Sequence, residues 1–166
     1  MALSRFQVWL LAARPRTLPA AAAPVLMGSA IALHQGLFHL WSALAAMAGA
    51  LLIQVGTNLA NDYFDWAKGA DRADRTGPTR VTQAGLVKAS SMKRAVWLVF
   101  GLAALVGVYL IFRGGWPILV VGLLSILFGI MYTGGPFPLG YNGLGELFVL
   151  IFFGPVALGG PYYVQA

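Results

Sequence analysis

The segment LLIQVGTNLANDYFD, residues 51–65, begins as an apolar run and ends in amides and carboxylates. Four polar residues recur in it at intervals of four, three and four positions: Gln54, Asn58, Asn61 and Asp65. On an α-helix this spacing places them on one face, and Asp62, four positions after Asn58, flanks that face. Polar side chains at membrane depth are costly unless they face the interior of a bundle or a watery cavity. The segment therefore predicts a membrane helix with one polar side, lined by amides and ending in carboxylates.

The composition supports a membrane location for this helix. Of the 166 residues, 59% are hydrophobic and 10% are charged, whereas about 25% of the residues of a soluble domain are charged. Five apolar segments approach the ~20 residues that a spanning helix needs, at about 18–33, 40–65, 92–112, 116–132 and 147–164. We therefore predict an all-α integral membrane protein with about five transmembrane helices. The sequence has no cysteine, which excludes disulfides and thiol chemistry.

The basic residues predict how the chain is oriented. Of the 11 Lys and Arg residues, only Arg113 falls on the opposite side from the others. Because cytoplasmic loops carry the excess of Lys and Arg, we predict a cytoplasmic N-terminus and a cytoplasmic loop at about 66–91. The short apolar stretch at about 3–13, followed at once by Arg14 and Arg16, is typical of an interfacial helix rather than a cleaved signal peptide. The net charge of +6 is thus assigned to topology, and no nucleic-acid partner is expected.

An acidic cluster marks the end of the second predicted span. Four of the five acidic residues lie there: Asp62, Asp65, Asp71 and Asp74. Basic residues surround them: Lys68, Arg72, Arg75 and Arg80. Mg²⁺ commonly joins one or two carboxylates to a substrate's phosphates, and Arg and Lys neutralise phosphates. The mixed cluster therefore predicts a site for a diphosphate with Mg²⁺, whereas a proton relay would account for the carboxylates but not for the arginines.

Some of these polar residues have simpler interpretations. Interhelical hydrogen bonds are the competing interpretation for Gln54 and Asn58. For Asp74 the competing interpretation is a solvated position in a loop. His34 and His39 are expected in exposed loops on the opposite side of the membrane.

Several segments resemble one known family. The motif NDYFD (61–65), followed by Asp71, resembles the first aspartate-rich motif of the membrane prenyltransferases of the UbiA superfamily, written N-x-x-x-D with a second Asp a few residues later. Four longer segments resemble the branch of that family that uses 1,4-dihydroxy-2-naphthoate: RPRTLPAAAAPVLMGSA (14–30), QVGTNLANDYFDWAKGAD (54–71), GPTRVTQAG (77–85) and YTGGPFPLGYNGLGE (132–146). The gap from Asp65 to Asp71, with Gly69 inside it, favours this branch over the 4-hydroxybenzoate branch.

The resemblance implies an Mg²⁺-dependent transferase. A polyprenyl group would pass from polyprenyl diphosphate to 1,4-dihydroxy-2-naphthoate with loss of CO₂ and diphosphate, giving demethylmenaquinone in menaquinone biosynthesis. The implied catalytic and Mg²⁺-binding residues are Asn61, Asp65 and Asp71. The implied diphosphate-binding residues are Arg72, Arg75, Arg80 and Lys68. The candidate substrate-binding residues are Gln54, Asn58, Asp62, Arg14 and Arg16.

The family fold is an all-helical bundle of nine spans with a second aspartate-rich motif in its later half. This sequence offers five spans and no second motif, so we expect it to resemble the first half of such a bundle, as a fragment of a longer protein of the bacterial inner membrane. Two alternatives remain: another aromatic acceptor such as 4-hydroxybenzoate, and a non-catalytic lipid- or quinone-binding membrane protein. A transporter is disfavoured, because the third to fifth predicted spans carry almost no polar residues.

Overall fold

All the regular secondary structure in the described part of the chain is helical. The structure, a computed structural model, describes residues 3–69 and 80–166, and within these ranges it contains helices and turns but no strand. The α-helices are α1 (Arg5–Ala13), α2 (Leu18–His34), α3 (Leu40–Ala67), α4 (Ala89–Gly114), α5 (Trp116–Met131), α6 (Gly145–Ile151) and α7 (Ala157–Tyr163). Short 3₁₀ turns cover Pro15–Thr17 and Leu139–Tyr141. The predicted all-α class is confirmed.

Four helical runs in the described ranges are long and apolar enough to cross a membrane: Arg5–His34, Leu40–Ala67, Ala89–Gly114 and Gly145–Tyr163. The helix Trp116–Met131 is apolar but shorter, at 16 residues. Each of the five predicted apolar segments therefore contains a helix. Satisfying every backbone N–H and C=O inside the segment is what favours helices in an apolar environment.

The first helical run bends where α1 meets α2. Ser4 begins α1 with a capping box: its Oγ accepts from the Gln7 backbone N–H at 3.2 Å, and the Gln7 Oε1 accepts from the Ser4 N–H at 2.9 Å. Arg14 ends α1 in the left-handed conformation, at φ 53°. Pro15 then begins the 3₁₀ turn, where a missing N–H removes no helical hydrogen bond. This break lets α1 pack across the end of α3 rather than continue along α2.

The last helical run is also interrupted. A π-helical turn at Phe152–Val156 separates α6 from α7, and Gly154 within it has the non-helical dihedrals φ −94° and ψ −111°. Pro155 has no N–H to donate to the preceding turn, so a regular α-helix cannot pass through it unchanged. The span predicted at about 147–164 is therefore two short helices joined at a kink.

The buried core lies at one end of the bundle, where α1, α3 and α4 meet the segment that precedes α4. Its members are apolar side chains: Val8, Ala12, Leu59, Ala60, Val81, Val87, Met92, Val96 and Phe100. Elsewhere large apolar side chains stay exposed, among them Trp41, Phe112 and Leu150. Exposure of such side chains to lipid is not costly, because lipid tails are as apolar as the side chains themselves. The compact core thus supports the end of α3 that carries the polar residues.

Glycines allow the closest helix crossings. A Cβ added to Gly56 would lie 2.7 Å from the ring of Phe100 on α4, and one added to Gly129 on α5 would lie 2.5 Å from Thr57 Oγ1. A Cβ added to Gly28 on α2 would collide with the carbonyl oxygen of Leu158 on α7 and lie 3.2 Å from the Tyr162 nitrogen. Small residues at these points let backbones approach. Gly56 and Gly129 thus let α3, which carries the polar stripe (Gln54, Asn58, Asn61 and Asp65), pack closely against α4 and α5.

Candidate functional site

The polar residues predicted from the sequence lie along α3 and become buried toward its C-terminal end. Asn58, Asn61, Asp62 and Asp65 are all buried, and Gln54 is partly buried. A buried carboxylate or amide is strongly destabilising unless it is hydrogen-bonded or paired. The partners of each side chain therefore define what this end of α3 can do.

Asp65 lies between two segments that are distant in sequence. Its Oδ2 pairs with Nη2 of Arg80, and its Oδ1 accepts a hydrogen bond from the Tyr141 hydroxyl. The side chains of Arg80 and Asp65 are only 8% and 2% exposed. A charged pair removed from water in this way keeps its mutual attraction less screened than a surface pair. Asp65 therefore joins the segment before α4 to the segment before α6.

Asn61 and Lys68 hold the α5–α6 loop (residues 132–144) against α3. The Thr133 hydroxyl donates to Asn61 Oδ1 at 2.9 Å. Lys68 Nζ donates to the carbonyl oxygens of Thr133 at 2.8 Å and Gly135 at 3.0 Å, and it lies 5.7 Å from the centre of the Tyr141 ring. The loop thus forms one wall of the site. The diphosphate contact implied for Lys68 stays a prediction.

Asp62 uses its carboxylate differently from Asp65. Its Oδ2 accepts from the backbone N–H of Val81 at 2.9 Å and its Oδ1 from that of Thr82 at 3.0 Å. The carboxylate is 1% exposed. Asp62 therefore fixes the chain just after Arg80, and its substrate contact stays a prediction.

Gln54 and Asn58 connect α3 to the start of α2. Asn58 Nδ2 donates to the Ala13 carbonyl and to Thr17 Oγ1, both at 2.9 Å, and Gln54 Nε2 donates to the same Thr17 oxygen at 3.1 Å. These contacts are the interhelical hydrogen bonds that the sequence offered as the competing interpretation for both residues. The substrate contact predicted for both residues stays a prediction.

The remaining predicted residues divide between the α1–α2 junction and the part of the chain that is not described. Arg14 is half-buried at the junction and Arg16 is exposed there. Asp71, Arg72 and Arg75, and the loop residue Asp74, lie outside the described ranges 3–69 and 80–166.

His39 is not the exposed loop residue that the sequence suggests. Its Nδ1 accepts from the Ser42 backbone N–H at 3.2 Å, so the imidazole caps the N-terminus of α3. The Gln165 side chain accepts from the His39 N–H at 3.4 Å and donates to Ser29 Oγ at 3.1 Å. The prediction failed because helix caps are usually Ser, Thr, Asp or Asn. His34 is exposed, as expected, but it is the last residue of α2 rather than a loop residue.

Sequence reasoning missed Tyr141 and Thr133. Both lie in YTGGPFPLGYNGLGE (132–146), a segment rich in turn-forming residues that signals a loop. Nothing in its spacing says that the loop returns to α3. The available signal for a functional tyrosine was the position of Tyr141 between Gly140 and Asn142–Gly143 in a tight loop.

An apolar cavity of about 420 Å³ lies between the helices beside this site. Gln54, Thr57 and Tyr132 contribute polar atoms to a lining that is otherwise almost wholly apolar. Phe128, Phe148 and Phe152 form an aromatic group in its wall, with ring centroids 4.6 to 6.3 Å apart. The cavity suits a hydrocarbon chain whose polar head lies near the end of α3.

The donors in the described part of the site are compatible with a hard cation. Within residues 3–69 and 80–166, no three His, Asp or Glu side chains gather into a group that could hold a metal alone. Asn61 and Asp65, one helical turn apart, supply an amide and a carboxylate oxygen. Mg²⁺ is usually held by one or two carboxylates together with water and substrate phosphates. The donor set therefore fits Mg²⁺ bound jointly with a phosphate substrate.

Comparison with known proteins identifies the family. The model of the UbiA prenyltransferase family matches residues 21–166. The chain is 43% identical over 99% of its length to the 1,4-dihydroxy-2-naphthoate octaprenyltransferase of Escherichia coli, covering 55% of that protein. It is 42% identical over 99% of its length to the enzyme of the same name from Mycobacterium tuberculosis, covering 56%. It is also 33% identical, over 96% of its length, to a 2-carboxy-1,4-naphthoquinone phytyltransferase from Synechocystis, covering 52%.

The chain spans about half the length of these curated relatives. The matched residues 21–166 nevertheless include nearly all of α2, the whole of α3 with its polar stripe, and the α5–α6 loop. The chain belongs to the UbiA prenyltransferase family.

Proposed function

We propose that the complete protein transfers a polyprenyl group from polyprenyl diphosphate to 1,4-dihydroxy-2-naphthoate. The allylic C–O bond to the diphosphate breaks, and a C–C bond forms at the ring carbon that carries the carboxylate. Loss of CO₂ from that carbon returns the electron pair to the ring and gives the quinol form of demethylmenaquinone. The printed names of the relatives support both the prenyl donor and the naphthoate acceptor.

The observation that carries the proposal is the buried Asp65 held between Arg80 and Tyr141. Asn61 and Asp65 would hold Mg²⁺, with Asp71 as the third predicted ligand. When bound, Mg²⁺ stabilises the negative charge that develops on the departing diphosphate. Arg80 sets a guanidinium beside the same carboxylate, where it can donate to phosphate oxygens. Arg72, Arg75 and Lys68 are proposed to add further positive charge.

The apolar cavity supports the other half of the reaction. The polyprenyl tail would lie in the cavity of about 420 Å³ while its head reaches the end of α3. Phe128, Phe148 and Phe152 give that cavity aromatic walls, which exclude water from an allylic cation. The aromatic acceptor would approach from the α1–α2 side, where Arg14 and Arg16 can pair with its carboxylate. We propose that the site faces the cytoplasm of a bacterial cell from within the plasma membrane.

Metal removal tests the proposed function. We expect membranes that contain the complete gene product to form a prenylated, decarboxylated naphthoquinol, which air oxidises to the quinone, from 1,4-dihydroxy-2-naphthoate and a polyprenyl diphosphate. Chelation by EDTA should stop product formation, and added Mg²⁺ should restore it, because the charge on the diphosphate needs a divalent cation. Product formation is measured by chromatography and mass spectrometry.

The acceptor is tested in the same assay. Product with 4-hydroxybenzoate but none with the naphthoate would keep the mechanism and reject the acceptor. No product with either acceptor, together with retained binding of prenyl diphosphate, would favour a non-catalytic lipid- or quinone-binding protein.

Tyr141→Phe tests the α5–α6 loop. The variant keeps the ring beside Lys68 but removes the hydroxyl that donates to Asp65. Groups that orient a metal ligand typically change metal affinity or activity by about 10- to 100-fold when removed. We therefore expect kcat/KM to fall by about tenfold and the Mg²⁺ concentration for half-maximal rate to rise.

Tyr163→Phe is the matched control, since Tyr163 is an exposed tyrosine on α7. It should leave both quantities unchanged. A Tyr141→Phe enzyme with the unaltered Mg²⁺ dependence would show that the hydroxyl does not orient Asp65.

A further inference from the structure

Asp62 is a deeply buried acid of the site to which the proposed function gives no part in the chemistry. It lies between Asn61 and Asp65 in sequence, yet its two carboxylate oxygens are both used by backbone N–H groups, of Val81 at 2.9 Å and Thr82 at 3.0 Å. A carboxylate that accepts two backbone N–H groups forms charge-assisted hydrogen bonds, which are stronger than neutral ones. The three groups are all buried, with Asp62 1%, Val81 0% and Thr82 5% exposed.

The segment that Asp62 holds is itself well ordered by contacts. The Ala84 N–H donates to the Arg80 carbonyl at 2.9 Å, and the Leu86 N–H donates to the Val81 carbonyl at 2.9 Å. Val81 and Val87 both belong to the buried core. The 80–88 turn is therefore a folded unit whose position relative to α3 is set by Asp62 and by this core.

Arg80 is the first residue of that turn. The Val81 N–H belongs to the peptide unit that follows the Arg80 Cα, so a hydrogen bond from it to Asp62 fixes the backbone of Arg80. The guanidinium of the same residue reaches Asp65, which is three residues after Asp62 on α3 and lies on the neighbouring turn. One face of α3 thus holds Arg80 at its backbone and at its side chain.

We propose that Asp62 is a positioning residue that acts through the Val81 and Thr82 backbone to hold Arg80 beside Asp65. This role needs no contact of Asp62 with substrate or metal. The catalytic consequence rests on the proposed function, but the positional claim does not. The same contacts favour an acid over an amide here, because the two N–H groups reach different oxygens and an amide would turn its NH₂ toward one of them.

The position of the turn can be measured without activity. These 166 residues contain no cysteine, and any cysteine elsewhere in the complete protein is replaced by serine, so a Gln83→Cys substitution gives one site for a nitroxide spin label on an exposed residue of the turn. In the complete protein without Mg²⁺ or substrate, we expect Asp62→Asn to increase the mobility of the label in the electron paramagnetic resonance spectrum. Glu146→Gln, which neutralises an exposed acid at the start of α6, should leave the spectrum unchanged.

Kinetics then test the connection to Arg80. We expect Asp62→Asn to lower kcat/KM by about tenfold, the scale seen when orienting partners are lost. Because Asp62 acts through Arg80, the same substitution in an Arg80→Ala background should change kcat/KM by less than about threefold, a non-additive pair. Multiplicative losses would mean that Asp62 acts directly on substrate or metal and would overturn the proposal.

The outcomes separate the two claims. An unchanged label spectrum in Asp62→Asn overturns the positional claim whatever the activity. A more mobile label in Asp62→Asn supports the positional claim. If the protein without that substitution transfers no prenyl group, the proposed function is rejected and the positional claim still stands. If Asp62→Asn does not accumulate as folded protein, Asp62→Glu replaces it in both measurements. Asp62→Glu keeps the charge but displaces the carboxylate by one methylene. We expect it to increase the mobility of the label and to lower kcat/KM, both by less than Asp62→Asn would.

Discussion

Asp65→Asn in the complete protein is expected to lower kcat/KM for prenyl transfer by about 1,000-fold, equivalent to about 4 kcal/mol of transition-state stabilisation. The substitution removes the negative charge that would hold Mg²⁺ while leaving an oxygen that can accept from Tyr141. Asp62, the neighbouring carboxylate among the described residues, cannot replace it, because both of its oxygens accept from the Val81 and Thr82 N–H groups. Initial rates over a range of Mg²⁺ concentrations measure the loss, and higher Mg²⁺ should recover little of it.

The same substitution also breaks the ion pair between Asp65 and a buried arginine. The Arg80 side chain is 8% exposed, and breaking a buried ion pair by removing one member typically costs about 3–5 kcal/mol of stability. Lost activity alone would therefore not distinguish a catalytic role for Asp65 from a folding defect.

A double substitution separates these two causes. Asp65→Asn with Arg80→Met removes both charges of the pair, so neither charge is left buried opposite a neutral side chain. We expect this variant to regain much of the thermal stability and none of the activity, whereas Glu146→Gln should keep both. Recovery of activity together with stability would contradict the role that we give Asp65.

The fold could be predicted from the sequence because a membrane restricts the secondary structure that an apolar segment can adopt. A backbone in lipid must satisfy its own hydrogen bonds, so the runs at about 40–65 and 92–112 correspond closely to α3 and α4. The kink in the last run was less accessible. Pro155 signals an interruption, but the non-helical dihedrals of Gly154 depend on how α6 and α7 pack against their neighbours.

The site was only partly accessible. The spacing of Asn61 and Asp65 identified one face of α3, but the spacing could not say that Asp62, beside that face, would be taken up by backbone N–H groups. Nor could it reveal that Thr133 and Tyr141, 72 and 76 residues further along the chain, hydrogen-bond to Asn61 and Asp65. These contacts are set by the packing of α5 against α3, and periodicity along one helix carries no information about packing between two helices.

The largest effect expected outside the site comes from Gly28→Ala. The added methyl group would collide with the Leu158 carbonyl oxygen and lie 3.2 Å from the Tyr162 nitrogen. Both atoms belong to the backbone of α7, so neither can rotate away as a side chain would. Extra methyl groups in tight packing typically cost about 1–3 kcal/mol. We expect the thermal midpoint of the detergent-solubilised complete protein to fall by several degrees, measured by the loss of monodisperse protein on heating.

Gly101→Ala is the matched control for this effect. Gly101 lies within α4, and an added Cβ would meet no atom within 4 Å. Since Gly is less favourable than Ala inside a helix by about 1 kcal/mol, Gly101→Ala should hold or slightly raise the midpoint, and Gly28→Ala gains the same propensity yet should lower it. The difference between the two variants therefore isolates the α2–α7 crossing from helix propensity. Equal midpoints would mean that α2 and α7 do not approach so closely in the complete protein.

Because Ala21 and Val25 of α2 line the apolar cavity with Pro161 of α7, a displaced crossing should also raise the KM for prenyl diphosphate more than it lowers kcat.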